Sequence, residues 1–211
     1  MTVRVSRQVL LLLAAGSLLV GCSTTTAGTA KPTATDVQES TSESDGGGTG
    51  GLPTDGAPMV EDPLGTGKFE DDPCLALTSA QSNELGIGAE GKPTSAPLGN
   101  ACQWLNESTQ GKVTISFLNE DPRGLSAEYR ANDDGKWAYF TELPPIQGYP
   151  AIARGLSDNR DEGACALVIG TSDEIAFELA LRLSQANTGE KDPCDVAVDV
   201  ADMAMQTMKR G

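Results

Sequence analysis

The chain contains no histidine, so the commonest general base and transition-metal ligand is missing. Aromatic residues make up 4% of its 211 residues, too few for the rows of exposed rings on which carbohydrate-binding surfaces are built. Positive charge is scarce as well: 15 Lys and Arg stand against 30 Asp and Glu. An acidic surface repels phosphate backbones, which argues against nucleic acid as a partner. The polybasic patch that would hold a protein flat on anionic lipid is also missing. The main apolar run, Val9 to Val20, is interrupted by Gly16 and Ser17 and is too short to span a bilayer, which takes roughly 18 residues or more. There is no Cys-x-x-Cys pair, no Gly-x-Ser-x-Gly elbow and no phosphate-binding glycine loop.

The amino-terminal run instead reads as a targeting segment. Arg4 and Arg7 precede the apolar stretch, which ends in Leu19-Val20-Gly21-Cys22. This tetrapeptide resembles a bacterial lipobox. In such signals the chain is cut before the cysteine, whose thiol carries diacylglycerol. Residues 1–21 are thus expected to be a signal peptide and Cys22 the lipidated residue. Two or more acyl chains make a stable anchor. Removing residues 1–21 takes away two arginines and no acid, moving the formal net charge from −15 to −17. The expected location is the outer face of the cell membrane, held by lipid on Cys22.

Residues 22–68 hold the lipidated cysteine and a Ser, Thr, Gly and Pro-rich stretch without an aromatic residue. Such a composition cannot bury enough apolar surface to offset its ordering entropy. It reads as a disordered stalk. A flexible chain of this length spans roughly 35–40 Å root-mean-square. From residue 69 to 211 Trp, Tyr and Phe appear together with four cysteines, which reads as one extracytoplasmic domain.

Within it, Asp72 and Asp192 each precede Pro-Cys. Asp is a good N-cap and Pro fits the first helical position, so each tripeptide starts a helix. Thr78 and Gln81 form a capping-box pattern that restarts the first helix beyond Leu77. Period-two alternation marks strands at Ala101–Leu105, Lys112–Leu118, Cys165–Ile169 and Ile175–Leu183. Further strands are expected at Tyr139–Leu143 and Ala151–Leu156, split by a turn over Pro144–Pro150. A short helix follows Leu125. Glu174, Glu178 and Arg182 alternate with the apolar residues of their strand and are expected to meet solvent. The last helix carries Val196, Val200, Met203 and Thr207 in one stripe, widened by Ala197, Ala201, Ala204 and Met208, and Asp195, Asp199, Asp202 and Gln206 in another. The fold class is α+β: an antiparallel β-sheet with helices packed on one face.

Four cysteines in an exported domain point to two disulfides, and four allow three pairings. The pattern favours Cys74–Cys102 and Cys165–Cys194, because each joins a helix start to a core-facing strand. A zinc site would normally come as two close cysteine pairs, and a catalytic cysteine wants a histidine. Asp133-Asp134-Gly135 and the run from Ser157 to Gly163 suggest calcium, but Arg160 stands at a required oxygen position. Neither a metal site nor a cofactor is expected. Trp104 shares a strand face with Cys102 and is expected in the core. Trp137, Tyr139 and Tyr149 lie in a turn-rich region and are the candidate ligand surface.

The lipobox, the low-complexity stalk, "DPCLALT", "CQW" and the closing "DPC" helix together resemble the uncharacterised-domain lipoproteins of actinobacterial cell envelopes. The resemblance spans the whole chain. It implies a lipid-anchored domain with two disulfides, and it brings no catalytic residues. The expected function is a non-catalytic binding, accessory or sensor module acting on an envelope protein or small molecule. The alternatives are a carrier of an apolar ligand, which needs an internal cavity of about 300 Å³ or more, and a hydrolase using carboxylates alone.

Overall fold

The computed structural model describes residues 51–97 and 99–211. The signal segment, Cys22 and most of the expected stalk lie outside the described residues. Seven antiparallel strands form one sheet: β1 (Lys92–Ala96), β2 (Gly99–Leu105), β3 (Lys112–Phe117), β4 (Tyr139–Ile146), β5 (Tyr149–Gly155), β6 (Ala164–Gly170) and β7 (Ala176–Arg182). Their spatial order is β1-β2-β3-β7-β6-β5-β4. Two meanders therefore meet at β3 and β7, where Val113, Ile115 and Phe117 stand opposite Leu181, Leu179 and Phe177. The helices are α1 (Gly67–Asp71), α2 (Ser79–Glu84), α3 (Leu125–Asp133) and α4 (Pro193–Arg210), with a 3-10 turn at Pro73–Ala76.

The expected α+β class with two disulfides is what the chain forms. One sheet face, carrying Trp104, Val113, Ile115, Phe117, Leu167, Ile169, Phe177 and Leu179, is covered by α4 and the amino-terminal helices. The buried side of α4 is Ala197, Val200, Ala201, Ala204, Met205 and Met208. The widened stripe expected from the sequence contains all of these but Met205. Val196, Met203 and Thr207 lie on the flank of the buried side, where α2 is tied across by Gln81 Nε2 donating to the Met203 carbonyl at 2.9 Å and Thr207 Oγ1 donating to Gln81 Oε1 at 3.0 Å.

Both Asp-Pro-Cys starts work as their chemistry dictates. Asp72 accepts a hydrogen bond from the Cys74 amide, and Asp192 accepts from the amides of Cys194 and Asp195. The first start yields only a single 3-10 turn, and the Thr78–Gln81 capping box then opens α2. Disulfides join Cys74 to Cys102 and Cys165 to Cys194, so each start is fastened to a strand of the core face.

Three features differ from the sequence reading. The turn expected over Pro144–Pro150 shrinks to Gln147-Gly148, both at positive φ, and β4 continues through both prolines. An edge strand tolerates one proline because its outer N–H groups have no ladder partner to lose, and the register shift between Leu143 and Ile146 takes the other out of the ladder. Helix α3 lies on the opposite sheet face, where Leu125 and Tyr129 pack on Ile152, Val168 and Ala176. It carries the chain from central β3 to the far edge at β4, so Glu178 is half-buried rather than fully solvated. Finally, residues 51–66 belong to the folded unit and not to a stalk. Val60 is buried, and the amides of Thr54, Val60 and Leu64 donate to Ser126 Oγ, Asp173 Oδ1 and the Thr171 carbonyl. Their backbone, which composition does not reveal, straps the β6–β7 turn.

Candidate functional site

The three aromatic residues singled out in the sequence do not form one surface. Trp137 lies on the α3 face. Its Nε1 donates to the Glu128 carbonyl at 3.2 Å, and its ring is stacked 4.4 Å from the Arg154 guanidinium. Adjacent residues of a strand point to opposite faces. Phe140 meets Tyr129 on the α3 face, so Tyr139 turns to the α4 side, where the Arg160 guanidinium covers its ring at 4.4 Å. Tyr149 is a core residue, 6% exposed. Burial is the leading cause that pushes the phenol pKa of both tyrosines above its ordinary value.

Trp137 closes a charged cluster. Arg154 Nε donates to Glu128 Oε2 at 2.9 Å, and Nη2 reaches Glu178 Oε2 at 2.6 Å. Burial opposes the arginine's charge, but Glu178 and Glu128 outweigh it and raise the guanidinium's pKa. No buried side-chain polar atom here lacks a hydrogen-bond partner, which makes this a fastener between α3 and the sheet.

One of several concave features among the described residues is a recess of about 420 Å³ on the α4 side of the sheet. Four segments distant in sequence build it: the end of α2, the β2–β3 loop, the segment after β7, and the first turns of α4. Its floor is apolar, made of Leu85, Ile87, Leu181, Leu183, Val196 and Val200. Asn106 holds two walls together: its Nδ2 donates to the Gly86 carbonyl at 2.9 Å, and its Oδ1 accepts from the amides of Ser108 and Thr109. Gly88 lets the chain pass close by, since a Cβ there would sit 2.9 Å from the Leu105 carbonyl oxygen. The rim offers Thr109, Ser184 and Asn187, with the charged side chains of Glu84, Asp199 and Lys191. Glu84 and Asp199 are exposed and belong to no ion pair among the described residues.

Such a recess can seat an apolar group and hydrogen-bond its neighbours. The sequence reading missed it because only folding brings the four segments together. The local hints were Leu85 and Ile87 around Gly86, and Val196 beside Asp199 at the edge of the helix stripe. Among the described residues, no three Cys, Asp or Glu side chains gather into a metal-ligand set.

Residues 17–207 match the family model described as "Protein of unknown function (DUF3558)". No curated protein and no solved structure matches the chain. The match covers most of the chain, which therefore belongs to this family.

Proposed function

Taking membership of that family as the premise, we propose that the protein is a lipid-anchored module outside the membrane that binds a partner without chemistry of its own. The observation that carries this reading is an open, apolar-floored recess on a domain stapled by two helix-to-sheet disulfides. Disulfides persist in oxidising compartments, which supports an extracytoplasmic domain. Cys22 supplies the anchor, and the residues between it and the strap supply the reach. The rigid sheet supplies a fixed rim, with ligand groups drawn from loops on a stapled scaffold. A carrier of apolar ligands is less well supported, because Val113, Ile115, Leu167, Phe177, Ala201, Ala204 and Met205, all 0% exposed, occupy the layer between α4 and the sheet.

Two measurements test this. Cys22→Ala is expected to move the protein from the membrane fraction to the soluble fraction; retention on the membrane refutes the anchor. A photo-crosslinking residue at Leu85, in the recess, is expected to capture a species in the native envelope. The same residue at exposed Ser95 on β1 serves as the control. Equal capture from both positions, or none from Leu85, refutes the binding module.

A further inference from the structure

The recess does not end at Asp199. Glu84, Leu85 and Asp199 also line a second hollow between α2 and α4, which continues past Asp202 and Met203 to Arg210. A third hollow shares Gln81 and Arg210 with it. Together they form a trough beside α4 from Val196 to Arg210, about 21 Å at 1.5 Å per helical residue. That length matches about six extended residues. A compact small molecule would fill the recess and leave the trough empty, so the shape favours a polypeptide segment.

The charges say which kind. Lys191 stands at the recess and Arg210 at the far end, while Glu84, Asp199 and Asp202 lie between them. Asp202 is held by the neutral amides of Gln147 and Gln206, both at 2.6 Å. No cation of the chain answers Glu84 or Asp199 among the described residues. These two carboxylates sit where the apolar floor opens into the trough. The geometry points to a cationic peptide segment as the occupant: we infer that an apolar residue seats on Leu85, Val196 and Val200, with a lysine or arginine beside it between Glu84 and Asp199.

The strap at residues 51–66 binds the β6–β7 turn, where β7 begins at Ala176, and the recess lies where β7 ends at Arg182. The strapped turn and the recess are thus separated by the length of a seven-residue strand, about 20 Å. This inference rests on the binding-module reading.

Fluorescence anisotropy tests it with the full lipidated chain in nanodiscs of neutral phosphatidylcholine and empty nanodiscs as blank. The probes are labelled eight-residue peptides with one leucine flanked by lysines, and the same peptides with glutamates. The lysine peptide is expected to bind at least about tenfold more tightly than the glutamate peptide. Glu84→Gln combined with Asp199→Asn, two exposed and nearly isosteric changes, is expected to weaken the lysine peptide about tenfold and to flatten its salt dependence. Equal binding of both peptides, no binding of either, or binding untouched by the double substitution overturns the inference. Should Leu85 crosslink a partner in the envelope while the lysine peptide fails, the cationic class is wrong and the module reading stands. Silence in both experiments removes both.

Discussion

Replacing Arg154 by methionine tests how α3 is held to the sheet. Arg154 is 7% exposed and Glu128 5%, and the guanidinium is the one cation between Glu128 and Glu178 in their shared cluster. Methionine keeps much of the volume and leaves two carboxylates facing each other, one of them without water. Breaking a buried pair by removing one partner costs about 3–5 kcal/mol. Loss of the stack on Trp137 adds about 0.5–1 kcal/mol. The expected loss is therefore about 5 kcal/mol, against a total stability of about 5–15 kcal/mol for a typical domain. Glu128→Gln is a milder change, because the amide oxygen still accepts and Arg154 keeps Glu178. It should cost about 1–2 kcal/mol. Combining the two substitutions removes the stranded buried charge, so the double variant should lose less than the sum by about 1.5–3 kcal/mol. Urea unfolding followed by circular dichroism, with the disulfides intact, measures all three. A loss below about 1 kcal/mol for Arg154→Met, or strict additivity in the double variant, would refute the view of this cluster as a buried fastener.

The remaining predictions concern the staples and the strap. Replacing Cys165 and Cys194 together by alanine opens a link across 29 residues and should lower stability by about 3–4 kcal/mol in the chain-entropy account; an unchanged urea midpoint would show that α4 is held by its packing alone. Val60→Ala with Asp173→Ala should cost about 2 kcal/mol through lost burial and one lost hydrogen bond. Limited proteolysis of the full chain should leave a resistant fragment that starts near Leu52; one starting near Phe69 would mean that the strap is not part of the folded unit.

How far local chemistry reaches is clear from particular elements. Alternation of Val113, Ile115 and Phe117, and of Phe177, Leu179 and Leu181, specifies strands because a half-buried sheet repeats every two residues. β1 escaped notice because Lys92–Ala96 is an almost wholly exposed edge and carries no apolar alternation to read. α2 was legible from two residues, Thr78 and Gln81, since a capping box is a contact between near neighbours. The strap was not legible, because its hydrogen bonds come from backbone amides that composition does not report. Trp137 was legible as unusual but misplaced, since its stacking partner Arg154 is a residue of β5 brought beneath it by α3.

The amino-acid sequence by itself determined the cysteine-headed helix starts, the alternating core-facing strands and the antiparallel sheet class, and it favoured one cysteine pairing of three that the structure then selected. Each depends on residues close in the chain or on a pattern repeated along it. Tertiary structure alone decided that β3 pairs with β7, that α3 crosses the far face, and that Glu84 and Asp199 share the rim of an apolar recess. Those depend on which distant segments meet, and the burial that makes them meet belongs to the whole core.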